Sequence, residues 1–192
     1  MQVLVVPTQG RRHLLTILVD EEEWRFVHID IFGKTLHLPC VRTQEDLTEA
    51  LSRLELQGVR KYVLNKLARR SYPSAELEKL LTERLVSEPI RALILDECRH
   101  NGYINDSEWT ERFVASQMRK GQGPRTIQQK LRAKGVAAPS LPNEQHAQIQ
   151  TLLETKYRNK NLSDPKERQK VTASLIRRGF DFDAIRIGLA KV

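Results

Sequence analysis

The residues whose type and spacing could do chemistry are cations. Arg119, Lys120, Arg125, Lys130, Arg132 and Lys134 fall within 16 residues of one another, and Arg177-Arg178 repeats the end of that pattern. Guanidinium and ammonium groups at this density hold phosphates or carboxylates through charge-assisted hydrogen bonds. On a helix Lys130 and Lys134 share a face while Arg132 points elsewhere, so the charge forms a belt around the helix.

Catalysis needs a nucleophile, a base and an orienting group brought together, and no motif of that kind is present. The chain contains no GxSxG, no HExxH and no Walker loop. Gly121-Gln122-Gly123-Pro124 lacks the preceding strand and the Gly-Lys-Ser/Thr ending of a phosphate cradle, and is read as a tight turn between helices. The five histidines (His13, His28, His37, His100, His146) never stand at i, i+4, and Asp20 to Glu23 reads as a solvated turn, so neither a metal nor a cofactor is expected. Cys40 and Cys98 are read as reduced thiols, with Cys98 following Ile90, Leu93 and Ile94 on one helix face. Trp109 and Phe113, four apart, read as core. A binding protein is expected, not an enzyme.

Charge is unevenly placed. Residues 1–109 carry a net −2 and residues 110–192 a net +10, so the C-terminal half should be drawn to polyanions or acidic surfaces, more weakly as salt rises. Hydrophobic residues make up 40% and charged residues 29% of the 192, which suits thin helical layers with much solvated surface. No apolar run approaches the roughly 18 residues of a membrane span, and the N-terminus lacks the order of a signal peptide. A cytoplasmic monomer is expected.

The elements that must position the cations follow from local signals. Val3 to Val6, Leu14 to Val19 and Phe26 to Ile31 are rich in β-branched and aromatic residues and predict a small antiparallel β element. Thr43 and Asp46 stand at capping-box spacing and open a helix to Leu56 that Gly58 should end. Helices are then predicted over 59–70, 74–85 and 88–100, with Ser74 and Ser87 as N-caps and Asn101-Gly102 as a stop. Leu77, Leu80, Leu81 and Leu85 form one stripe; Ile90, Leu93, Ile94 and Cys98 form another.

A second group starts at Asn105 or Asp106, either of which can cap, and runs to Lys120. After the break at Gly121 to Gly123, Pro124 opens a helix that ends at Gly135. Ala137 to Asn143, with Pro139 and Pro142, reads as an irregular connection before a helix over 144–158 that completes this group. A third group opens on Asp164-Pro165, stops at Gly179 and finishes with a helix from Asp183 bearing Ile185 and Leu189.

These groups are copies of one unit. Ile127, Leu131, Lys134, Gly135 and Val136 recur 44 residues later as Val171, Leu175, Arg178, Gly179 and Phe180, and 50 residues earlier as Leu77, Leu81, Arg84, Leu85 and Val86. A period near 45 residues marks stacked helical repeats, which present binding surfaces more often than catalytic pockets. The expected fold is mainly α: an N-terminal β-hairpin segment plus helix over 1–58, then three-helix units over 59–105, 106–148 and 149–192.

GYINDSEW, MRKGQGPRTIQQKLRAKGV and LIRRGFDFDAI resemble the RecX family of bacterial recombination regulators in order and spacing, from about Tyr62 to Leu189, and more loosely over Val19-Asp20 and WRFVHIDIF. The resemblance implies three tandem three-helix repeats in an elongated, curved array, lodged in the helical groove of a RecA filament on DNA. It implies inhibition of RecA strand exchange, ATPase and coprotease activity in DNA repair and the SOS response. Arg119, Lys120, Arg125, Lys130, Arg132, Lys134, Arg177 and Arg178 are the interface residues it carries over, with single- or double-stranded DNA as a weak, electrostatic second partner. This chain departs from the family pattern at Leu85, where glycine is usual and a differently built turn is expected, and in the linker with Pro139 and Pro142. The alternative is a basic helical protein that binds DNA or RNA without RecA.

Overall fold

Asp20 and Glu21, at φ 49° and 71°, close the hairpin between the second and third strands as a two-residue turn of mirror-image hand. The structure, a computed structural model, describes residues 1–140 and 145–190. Because only two residues turn, the third strand starts at Glu22 and not at Phe26: the sheet is β1 (Val3–Pro7), β2 (Leu14–Val19) and β3 (Glu22–His28), antiparallel in that order. Val5 faces Ile17 and Leu15 faces Val27, with a register irregularity between Ile17 and Leu18. Ile29, expected within the strand, opens a short helix, α1 (Ile29–Phe32), where His28 Nδ1 accepts from the amide of Asp30.

Two compact units divide the chain, Met1–Asp106 and Ser107–Val192. In the first, Leu15, Ile17 and Val27 bury one face of the sheet against Leu51 of α2 (Gln44–Leu67). Thr43 caps α2 through its hydroxyl, which accepts from the Asp46 amide at 3.1 Å, as its spacing predicts. Gly58 does not end that helix. The two helices expected on either side of it are one, and the boundary expected at residue 58 falls inside it. A Cβ at Gly58 would lie 2.2 Å from the carbonyl oxygen of Ile31, so the glycine serves the close approach of α1.

Two further helices, α3 (Ser74–Thr82) and α4 (Glu88–His100), form a second cluster with Val59 and Val63 of α2 through Leu77, Leu81, Ile90, Ile94 and Cys98. Three expectations change here. Pro73, not Ser74, occupies the N-cap of α3, because the Ser74 amide and hydroxyl both donate to the carboxylate of Asp106. Ser87 does sit at the N-cap of α4, but its hydroxyl donates to Glu55, which also accepts from the Ser87 amide, each at 2.9 Å. Leu93 is 53% exposed while Leu95 is buried, so the apolar face is turned by part of a residue step from the expected stripe. Burial pushes the Cys98 thiol above its usual pKa and keeps it an apolar filler.

In the second unit α5 (Asp106–Arg119) and α6 (Pro124–Ala133) bury Val114, Ile127 and Leu131, with Trp109 and Phe113 packed against them. The two rings stack at 5.0 Å, in keeping with a core role. Next, α7 (Gln145–Thr155), α8 (Pro165–Arg177) and α9 (Phe182–Ala190) form a separate cluster, in which Ile149 and Leu153 meet Val171, Leu175 and Ile185. The helix assigned from sequence to the middle group therefore packs with the last, and the boundary expected between residues 148 and 149 falls within it. Its expected start at Glu144, and Pro142 of the preceding linker, lie outside the described residues.

One turn recurs through both units. After α3, α6 and α8, the amides of Val86, Val136 and Phe180 donate to the carbonyls of Leu81, Leu131 and Leu175 at 3.0–3.2 Å, each across a residue of positive φ. That is a Schellman closure with its apolar contact, and it explains the echo in the sequence. Leu85 builds the same turn as Gly135 and Gly179, at φ 57°, contrary to the different geometry expected for it. The backbone bonds set the turn, and the leucine accepts a conformation that costs roughly 1–2 kcal/mol.

Candidate functional site

Two turns of the second unit touch, and the contact gathers much of the basic set. Gly121, at φ 69°, ends α5, and the chain reaches Gly123 before α6 begins. The Gly123 amide donates to the carbonyl of Arg178 at 2.7 Å, and the Arg125 amide to that of Gly179 at 3.1 Å. A Cβ on Gly123 would lie 2.5 Å from the Gly179 carbonyl carbon, and one on Gly179 would lie 2.5 Å from the Thr126 amide. The Gly121 to Pro124 segment is thus the tight turn expected, and its glycines also let main chain pack on main chain.

This joint draws the end of α5, the start of α6 and the end of α8 to one place. Arg119, Lys120, Arg125, Arg177 and Arg178 surround it. Lys130, Arg132 and Lys134 sit toward the other end of α6.

The eight cations then divide by what holds them. Arg178 is half-buried, and its Nη1 donates to the carbonyls of Lys120 at 3.2 Å and Gly121 at 2.9 Å, bracing the joint from within. Arg125, exposed, pairs with the partly exposed Asp181 at 2.7 Å, and such a pair near solvent contributes roughly 0–1 kcal/mol. The Lys130 ammonium donates to the buried Gln117 amide oxygen at 2.8 Å, and that of Lys134 lies 5.8 Å over the Trp109 ring. Arg119, Lys120, Arg132 and Arg177 are exposed, and their side chains have no partner among the described residues. Among the described residues these four side chains have no internal bond to give up when they meet an anion.

Asp181 and Gln117 were missed as partners of this set. The Asp181 amide donates to Gln145 Oε1 at 3.0 Å and Gln145 Nε2 returns to its carboxylate at 2.6 Å, so α7 clamps the start of α9 much as Glu55 clamps that of α4. Exposed apolar side chains beside the cations were missed as well: Ile176 next to Arg177, and Phe182, 60% exposed, next to Asp181. For Ile176 the available signal was that it falls off the stripe set by Val171 and Leu175 on α8; Phe182, three residues before the buried Ile185, gave no such signal. Around the joint the side chains are guanidiniums, ammoniums and a paired carboxylate, a set chemically suited to anions, with no nucleophile against a base among the described residues.

Comparison with known proteins places this geometry. The family description "RecX, second three-helix domain" matches residues 105–139, and "RecX, third three-helix domain" matches residues 143–187. A regulatory protein RecX from Chromohalobacter salexigens is 34% identical over 131 residues, covering 65% of this chain and 86% of that protein. One from Mycolicibacterium vanbaalenii is 27% identical over 173 residues, covering 80% and 93%. Among solved structures, a regulatory protein RecX superposes with TM-score 0.58 at 19% identity over 97% of this chain and 98% of that one. RecX from Lactobacillus salivarius gives 0.59 at 22% over 71% and 95%, and both likenesses bear on the fold alone.

Proposed function

The chain belongs to the RecX family of regulatory proteins, and from that premise we propose that it binds the RecA–DNA filament in its helical groove and inhibits RecA strand exchange, ATP turnover and coprotease activity. The observation that carries this reading is the set of exposed, unpartnered cations Arg119, Lys120, Arg132 and Arg177, three of them beside a main-chain joint between successive repeats. A filament offers the same acidic and phosphate groups at regular intervals, and repeats that each contact one interval combine modest affinities through high effective concentration. The net +10 of residues 110–192 speeds encounter, while Ile176 and Phe182 supply apolar contact that slows release. On this reading the protein acts in DNA repair and the SOS response, as a cytoplasmic monomer with no catalysis of its own.

The same positive charge favours one other reading, binding to DNA or RNA without RecA. Co-sedimentation with single strands, bare or coated with RecA, separates the two, read beside DNA-dependent RecA ATPase and strand exchange. Tighter binding to coated strands together with slowed ATP turnover is expected. Equal binding to bare strands with RecA turnover untouched would establish the second reading in place of the first.

A further inference from the structure

The second half of α2 carries Arg60, Lys61, Lys66 and, just past its end, Arg69 and Arg70, with no acidic residue among them. Their pairing is selective. Arg60 is held by Glu97 at 2.9 Å and Arg70 by Glu76 at 2.6 Å, and earlier on the helix Arg53 is held by Glu49. Lys61, Lys66 and Arg69 have no carboxylate partner among the described residues, and they share one edge of the helix, together with Tyr62 and Asn65. That edge walls a groove of about 390 Å³, closed on the other side by α1, whose one carboxylate there, Asp30, is taken by Arg84 at 3.0 Å.

Tyr62 shows what the groove is built to hold. Lys66 stands 5.2 Å from the centre of its ring, which fixes that cation at the groove, and Arg84, already paired with Asp30, lies 4.9 Å from the same ring. The ring is occupied by cations and offers no platform to a base. None of the large apolar side chains left exposed lines this groove, so it lacks the anchor on which a protein partner would seat. From Lys61 to Arg69, just past the end of α2, is eight residues, about 12 Å at the helical rise, the length of three or four nucleotides at the ~3.4 Å axial rise of a stacked strand.

We propose that this groove is a second polyanion site, in the N-terminal unit, which takes the phosphate backbone of a nucleic acid strand without reading its bases. It does not depend on the RecA reading, and it lies in the half of the chain whose net charge is −2 over residues 1–109. Lys61 and Arg69 contact phosphates three or four nucleotides apart, Lys66 sits between them, and Asn65 donates from its amide.

The test is fluorescence anisotropy of the full chain with labelled single strands, one oligothymidylate and one of mixed sequence, titrated over a range of salt. Lys61→Glu with Arg69→Glu should weaken binding to both at least about tenfold, and flatten the salt slope by about 1.4, since each lost phosphate contact on a single strand removes ~0.7. Lys61→Gln with Arg69→Gln should show the same loss to a smaller degree, and decides the matter if the charge reversal unfolds the chain by circular dichroism. Unchanged affinity and slope in the folded variant would sink the proposal. So would a loss confined to one sequence, which would mean base reading, or a loss seen with RecA-coated strands alone, which would mean an acidic protein partner. Arg119→Glu with Arg177→Glu, in the other unit, separates the two readings: it should relieve inhibition of RecA while leaving the effect of the Lys61 and Arg69 changes on bare strands in place.

Discussion

The amide of Gly123 donates to the carbonyl of Arg178 at 2.7 Å, tying the turn between α5 and α6 to the turn between α8 and α9. The guanidinium of the same Arg178 reaches back to the carbonyls of Lys120 and Gly121. One residue thus accepts through its main chain and donates through its side chain across a single joint, and the neighbouring surface cations take their places from it.

Gly123→Ala should lower stability to urea by about 3 kcal/mol, because its Cβ meets main chain that cannot turn aside. Gly179→Ala combines the same collision with φ 90° and should cost at least as much. The control is Gly102→Ala: at φ 71° with nothing within 4 Å it bears conformational strain alone, and should lose only about 1 kcal/mol. Equal losses at Gly102 and Gly123 would show that contact across the joint contributes nothing.

Arg177 and Arg178 are neighbours with different work to do. Arg178→Ala should destabilise the protein by about 1 kcal/mol, a charged pair of hydrogen bonds discounted for its partial exposure. Arg177→Ala should leave the melting temperature in place and weaken filament binding. Thermal unfolding and co-sedimentation on the two variants check this; a reversed pattern would place Arg178 at the interface and Arg177 in the scaffold.

Leu85→Gly should stabilise the chain by about 1 kcal/mol, since relief of the left-handed strain exceeds the entropy that glycine adds to the unfolded state. Little packing is lost, because Leu85 is 46% exposed. Denaturant titration decides it, and a loss of stability would mean that the leucine side chain matters more than its backbone.

Hydrogen bonds from Lys160 and Lys170, each at 2.8 Å, hold the Glu167 carboxyl down from 4.5 to about 2. A folded-state pKa below the unfolded one contributes stability that is present above about pH 4.5 and lost as pH falls towards 2. Glu167→Gln should therefore remove part of the acid-side fall in melting temperature over that window, with a smaller difference in high salt. Identical acid limbs for the two proteins would show that the carboxylate contributes no acid-linked stability.

Local signals carried the helices well, because caps and stops are written in neighbouring residues: Thr43, Asp164-Pro165, Gly135 and Gly179 all serve where expected. The misreadings share a cause in tertiary contact. Gly58 looks like a stop but makes room for Ile31; Ser74 looks like a cap but is claimed by Asp106; the acidic run Asp20 to Glu23 reads as a turn throughout, yet two left-handed residues suffice and the other two start β3. The site was legible as charge and illegible as role. Nothing in the local sequence says that Arg178 faces two carbonyls, that Lys130 is held by Gln117, or that Lys61, Lys66 and Arg69 stand on one edge of α2 with no carboxylate partner among the described residues.

Among the described residues five helices, α3, α4, α5, α6 and α8, end in turns closed by main-chain bonds across a residue of positive φ, and at one of them leucine stands where the others use glycine. A joint made of peptide groups has the same donors and acceptors whatever side chains surround it. The outward cations can then be exchanged one at a time over generations while the turns keep their register. Partner preference can drift on such a frame without the frame having to be found again.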